Sequence, residues 1–194
     1  MKYNLSEITS LIRNRRSVRP ELMSKRKVHR EQVELMLTNA TWAPTHGMTQ
    51  PWKFIVFAEK SLHELSVFLP ELYRSLTPAD KFNQVKYDKM KTRLSHVSCI
   101  VAVCMKRDES GKIREVEEVE AVACAVQNLT LTATAYGIAS FWSTPAVMYT
   151  SEMKEFLGIS ERDMCLGLVY LGYFDGEWPT SHRRPLEYVT EWRD

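Results

Sequence analysis

The chain has 194 residues, with 26 basic and 24 acidic side chains, a net charge of +2 and 44% hydrophobic residues. That length supports one domain, residues 1–194, with a core of its own, and so even a charge balance argues against a nucleic-acid or membrane-surface binder. Met1 to Ser10 lacks the basic start, apolar run and cleavage site of a signal peptide, and no apolar stretch nears the ~20 residues of a membrane span, so a cytoplasmic protein is expected.

Ser6-Glu7 reads as the start of a first helix, with Ile8, Leu11 and Ile12 at helical spacing. It leads into Arg13-Asn14-Arg15-Arg16-Ser17-Val18-Arg19-Pro20, where four guanidinium forks and a hydroxyl gather before a proline that stops the helix. Such a run is either a solvated charged face or an anion site. A second helix is predicted from about Arg30 to Thr41, with Val33, Met36, Leu37 and Ala40 on one face. Between Pro44 and Pro51 lies a polar loop, Thr45-His46-Gly47-Met48-Thr49-Gln50, feeding a strand at Lys53 to Phe57.

Ser61-Leu62-His63-Glu64 has capping-box spacing for a third helix towards Tyr73, and Thr77-Pro78-Ala79-Asp80 resembles another helix start. The charged, weakly patterned region from about Phe68 to Ser95 reads as exposed helices over the core and a candidate lid. Val97 to Met105 is a β-favouring apolar run, expected to be buried on both faces, and Gly111 marks a turn in the charged segment that follows. From about Val119 to Tyr136 the pattern is helical and almost wholly small or apolar, with Gly137 after its end. Such a helix belongs at a domain centre or against a second subunit. A short strand from Ile138 to Trp142, a helix from Ser151 stopping at Gly158 and a buried strand from Cys165 to Tyr173 complete the pattern. The tail from Asp175 to Asp194 carries a second basic knot, His182-Arg183-Arg184-Pro185-Leu186, and stranded apolar residues at Val189 and Trp192.

Several chemistries are disfavoured. The seven glycines form no G-x-G-x-x-G, P-loop or G-x-S-x-G turn, and the five histidines are scattered without ligand spacing, so no metal site is expected. The four cysteines, Cys99, Cys104, Cys124 and Cys165, lie singly in apolar runs and read as buried thiols. Two basic knots, a Pro-bounded loop and a Trp142-Ser143-Thr144 turn remain, which together suggest a phosphate-bearing cofactor. Residue chemistry alone leaves open which one.

Four segments occur in register: Arg15-Arg16-Ser17-Val18-Arg19; Trp42-Ala43-Pro44 with Gln50-Pro51-Trp52-Lys53-Phe54; Gly137-Ile138-Ala139-Ser140-Phe141-Trp142; and Arg183-Arg184-Pro185-Leu186. In these the chain resembles the FMN-dependent nitroreductase family, and most closely its short bacterial NAD(P)H nitroreductase branch. The resemblance implies an α+β fold, a mixed central β-sheet flanked by helices, in an intertwined homodimer with FMN at the interface and the tail from about residue 175 reaching the partner. It implies FMN contacts from Arg15, Arg16 and Ser17, from His46 and Gln50, from Trp142, Ser143 and Thr144, and from Arg183 with Arg184 as second choice. Arg19 is divided between the ligand and a surface ion pair, while Trp52 and Trp192 read as packing residues.

The implied activity is ping-pong transfer of a hydride from NADH or NADPH through flavin to a nitroaromatic, quinone or enone, with no side chain assigned as catalytic. A flavin-dependent dehydrogenase or dehalogenase, or a flavin-sequestering protein with little turnover, are the alternatives. Where many relatives have Gly-x-Gly-Ser this chain has Gly137-Ile138-Ala139-Ser140, and Ser143-Thr144-Pro145 follows, which leaves nicotinamide preference and substrate shape open.

Overall fold

A computed structural model describes residues 3–24 and 26–193; Met1, Lys2, Lys25 and Asp194, the last residue of the expected tail, lie outside it. Its elements are α1 (Leu5–Asn14), α2 (Arg30–Ala40), β1 (Trp52–Ala58), α3 (Glu59–Leu76), α4 (Gln84–Arg93), β2 (Cys99–Met105), α5 (Glu115–Ala135), β3 (Ile138–Ser143), α6 (Ser151–Leu157) and β4 (Met164–Tyr173), with short 3-10 turns between them. The strands form one sheet in the order β1-β2-β4-β3, every neighbouring pair antiparallel. The α+β class is as expected. The parallel component of the expected mixed sheet is a single bridge, Ser17 to Ser140, among the described residues.

The two central strands explain their own sequences. β2 is buried at every position, because helices cover both faces of the sheet. Side chains alternate across it: Val101, Val103 and Met105 meet α5 and α2, while Ile100, Ala102 and Cys104 meet α3 and α6. α5 presents Val122, Ala125, Val126 and Leu129 to the sheet and ends where Gly137 takes φ +69°. It begins four residues before the expected start, at Glu115, with Glu115, Glu117 and Glu118 in the first turn where the helix dipole favours acids. Cys124 departs from expectation. It lies on the outer side of α5, exposed, while the other three thiols are buried.

Other departures are local. α1 is capped by Asn4, whose Oδ1 accepts from the amides of Ser6 and Glu7, and not from Ser6 onward. α3 starts at Glu59, and Ser61 closes its first turn by accepting from Ala58 N at 3.0 Å. Thr77 to Asp80 makes only a turn, with Lys81 N donating to Pro78 O; the helix begins at Gln84 behind the cap Asn83. α3 and α4 are more than an exposed cover, since Leu65, Leu69, Leu72, Tyr73 and Tyr87 are buried beneath them. No helix among the described residues is long and apolar enough to cross a membrane.

α1 has an apolar side yet buries none of its residues, and Leu5, Ile8 and Ile12 are exposed. The segment 179–193 is exposed throughout, including Leu186, Tyr188, Val189 and Trp192, the last at 80%. Between α1, α2 and α5 runs an open groove of about 490 Å³ lined by Leu11, Leu35, Trp42, Leu131 and Tyr136.

The first turn of α5 is locked to the sheet by one buried charge. Glu118 is 1% exposed; it is bonded by the Arg107 guanidinium and accepts from Asp108 N at 2.8 Å. Arg107 also donates to Ile113 O, and its amide donates to Asp163 at the start of β4. Removing the cation leaves a buried carboxylate without a counter-charge. Arg107→Met is therefore expected to destabilise the protein by about 3 to 5 kcal/mol, read as a lower urea midpoint with an unchanged slope.

Candidate functional site

The arginine run sits where α1 ends beside the sheet edge. Arg15 is the first residue beyond α1, its amide still bonded to Leu11 O. Val18 N donates to Ser140 O at 3.0 Å, so the segment lies along β3 as a one-residue extension of the sheet. Arg16 Nε donates to Pro179 O at 2.8 Å and Arg16 Nη1 to Arg15 O at 2.9 Å. These bonds fold the tail back over the corner. Arg183 is thereby close enough to repel Arg15 electrostatically, while its own Nη1 donates to Ser181 Oγ and His182 O.

Arg15, Arg16 and Arg183 thus converge from sequence positions about 170 apart, and among the described residues none of them forms an ion pair. The guanidinium of Arg15 is held below its ordinary pKa, first by burial and then by Arg16 and Arg183. A cluster whose charged form is disfavoured in this way gains most from a bound anion. Beside it opens a cavity of about 450 Å³ between Asn14, Arg16, Thr134, Gly137 and Trp178. Ser17 is exposed at the same corner. Arg19 is exposed one turn further on, beside Glu21, and Arg184 is exposed, with no side-chain partner among the described residues.

Trp142, Ser143 and Thr144 continue along β3 from Ser140, two to four residues on from the bridge to Ser17. What holds this turn is a bulge in β4. Val103 pairs with Gly167 and Cys104 with Cys165, so Leu166 has no partner on β2. Its carbonyl accepts instead from the Trp142 indole, at 3.1 Å. Gly167 takes φ +130°, and a Cβ there would lie 2.6 Å from Ser143 O and 2.7 Å from Trp142 Nε1. Only glycine lets the turn come this close. Gly167 was not among the residues singled out above, although a lone glycine inside an apolar strand signals a bulge or a close approach.

His46 and Gln50 lie elsewhere. The Pro-bounded loop makes a short turn, His46–Met48, with Gly47, Met48 and Gln50 all at positive φ, of 59°, 55° and 47°. Two non-glycine residues in the left-handed region carry strain, which a structure keeps only where something else demands the shape. Thr45 Oγ1 accepts from Gln50 N at 3.3 Å, and His46 Nδ1 donates to Glu117 Oε2 at 2.8 Å. That bond is the first cause of a Glu117 pKa below the usual carboxylate range. Nothing in the sequence marks Glu117 as the anchor of His46. The loop therefore stands at the N-terminal end of α5, whereas the arginine corner and Thr134 stand at its C-terminal end. Seventeen residues of helix, roughly 25 Å, separate Glu117 from Thr134.

The structure thus brings together Arg15, Arg16, Ser17 and Arg183, sets Trp142 to Thr144 beside them, and leaves His46 and Gln50 far away in the same chain. These features define an α+β protein whose arginine corner and Pro-bounded loop are on opposite ends of one helix. The chain belongs to the nitroreductase family, whose sequence model matches residues 12–173. A relative in Bacillus subtilis (strain 168), provisionally named NAD(P)H nitroreductase YfhC, is 25% identical over 186 residues, 93% of this chain and 91% of its own. The nitroreductase-like family protein from Bacillus cereus has a TM-score of 0.83 at 23% identity, with 100% of this chain and 98% of that one covered. The FMN-dependent nitroreductase NfnB from Mycobacterium smegmatis, solved in complex with NADPH, has a TM-score of 0.76 at 19% identity, covering 98% and 100%.

Gly167→Ala tests the bulge. The added methyl is expected to push the Ser143 carbonyl and the indole away, at a cost of about 2 to 4 kcal/mol. Thermal unfolding measures that loss, and near-ultraviolet circular dichroism reports the displaced Trp142.

Proposed function

We propose that the protein is an FMN-dependent NAD(P)H oxidoreductase that works as a homodimer. Support for the cofactor comes from Arg15, Arg16 and Arg183, three converging cations that no acid among the described residues pairs with. The dianionic phosphate of FMN matches that charge, and guanidinium forks bind phosphate oxygens bidentately. Hydroxyls at Ser17, Ser143 and Thr144 and the side-chain amide of Gln50 are the donor types that a ribityl chain and a flavin edge take up. The relatives' names, and the NADPH held by NfnB, support a nicotinamide nucleotide as reductant.

The observation that carries the dimer is the spacing along α5. One chain offers two incomplete halves, too far apart for a single mononucleotide. A two-fold arrangement that sets the α5 helices antiparallel brings the arginine corner of one copy towards the Pro-bounded loop of the other. The exposed faces of α1, the groove beside α5 and the apolar tail supply the surface for it. In this reading the segment 175–194 lies across the partner, and residues 1–194 act as one domain of the cytoplasmic enzyme.

Bound FMN would supply the redox chemistry, ping-pong transfer of a hydride from NADH or NADPH to a nitroaromatic, quinone or enone acceptor. The chain's own residues do the rest. Arg15, Arg16 and Arg183 neutralise the phosphate, and Gly167 lets the Trp142–Thr144 backbone approach the ring site. The Trp142 indole N–H is already satisfied by Leu166 O, so Trp142 serves by its position and its face. His46, held by Glu117, fixes the loop that brings Gln50 to the partner's half of the site. Side chains need carry no proton-transfer role for the hydride step itself.

The test is direct. The purified protein is expected to be yellow, to release FMN on denaturation and to bleach anaerobically with NADH or NADPH. Arg15→Ala and Arg183→Ala should each weaken FMN retention by about 1.5 to 3 kcal/mol, measured by equilibrium dialysis. A colourless protein that takes up no FMN contradicts the flavin reading, and a yellow protein that neither nucleotide bleaches contradicts the reductase reading.

A further inference from the structure

The cavity that Ser143 shares has a charge pattern that flavin chemistry alone does not call for. It measures about 560 Å³ and lies between α4, the Ser143–Pro145 turn and Tyr170 of β4. Lys86, Lys89 and Arg93 reach it from α4 at spacings of three and four residues, which keep them on one helix face. Among the described residues no acidic side chain lines it, and the remaining wall is largely apolar.

The three cations differ in what already engages them. Arg93 Nε lies 3.0 Å from Glu21 Oε1, and its guanidinium stands over the Phe141 ring. Lys86 Nζ lies 4.5 Å from the Tyr73 ring centroid, a contact that leaves its charge unneutralised. Among the described residues the Lys89 ammonium makes no ion pair, hydrogen bond or ring contact; its carbonyl is engaged, by Thr92 Oγ1 at 3.4 Å. Asp88, which does not line the cavity, accepts a hydrogen bond from Gln84 Nε2 at 2.9 Å, and Glu71 is held by Arg74 and Tyr87. With Glu21 offsetting Arg93, two ammonium charges remain over an apolar recess, and low-dielectric walls concentrate their field inside it.

We propose that Lys86 and Lys89 bind an anionic group of the electron acceptor, so that the substrate class is an aromatic or conjugated acceptor carrying a carboxylate or phosphate. This rests on the flavin reading above, because Ser143 is the residue common to the cavity and the FMN contacts. Arg93, already paired, shapes the cavity and does not supply the anion's counter-charge.

The experiment uses FMN-loaded protein and two acceptors of nearly one shape, para-nitrobenzoate and para-nitrobenzamide. The ratio of their kcat/KM values is expected to favour the anion by about tenfold at low salt and to shrink as ionic strength rises. Lys89→Gln should cut the ratio about three- to tenfold, Lys86→Gln/Lys89→Gln should bring it close to unity, and Lys89→Arg should keep it. Benzoate, titrated against the visible flavin spectrum, should lose affinity in the same order, which gives a readout without turnover. A ratio near unity in the unaltered protein, or one that neither Gln variant moves, overturns the assignment. So does a rise in KM confined to NADPH over NADH, which would give these charges to the reductant's phosphate. Protein that takes up no FMN overturns the flavin reading as well; protein that bleaches normally but ignores acceptor charge overturns this proposal alone.

Discussion

Helix α5 buries Val122, Val126 and Leu129 against the sheet, and the length needed to do so sets how far apart the molecule's two polar ends can be. Its N-terminal turn is tied down by the buried Glu118 and Arg107, and beside it His46 is held by Glu117. Its C-terminal end abuts the arginine corner at Gly137. Burying that apolar stripe is worth far more than any single polar contact on the surface. The arginine corner and the Pro-bounded loop therefore stand at opposite ends of the helix and do not meet within one chain, which is why the proposed site draws on two copies.

The arginine corner carries the complementary electrostatic constraint. Burial, then the charges of Arg16 and Arg183, disfavour the charged form of Arg15, and the tail is nonetheless drawn over the corner by Arg16 bonding to Pro179 O. Such a cost persists where a ligand repays it. The same economy holds at the loop, where Met48 and Gln50 keep strained backbone angles.

Much of this was legible in the residues. The apolar runs at Val97–Met105 and Cys165–Tyr173 could only be buried strands, and Gly137 and Gly158 marked helix ends by their need for positive φ. The register of short motifs pointed to the family. Periodicity, however, reports that a helix has an apolar side and not what covers it, and Ile8 and Ile12, at helical spacing, are exposed. For the same reason Cys124, inside an apolar run, proved to lie on the outer flank of α5. The proline and acid at Pro78 and Asp80 imitate a helix start, but the chain spends them on a turn before Asn83 caps the real one. The bulge at Leu166–Gly167 and the anchoring of His46 by Glu117 depend on contacts across strands or between loop and helix, which no local pattern encodes.

The central claim is that one site takes its arginines from one chain and its Pro-bounded loop from another. Complementation in a mixed dimer tests this most directly. One copy would carry Arg15→Ala and Arg183→Ala, the other His46→Ala and Gln50→Ala, the two distinguished by different affinity tags and purified together. Each variant alone should hold FMN poorly, whereas the mixed dimer should regain one intact site for every pair of chains, with the affinity of the unaltered protein. A mixed dimer that binds FMN no better than either parent would contradict the shared site and return each half to a separate role within its own chain.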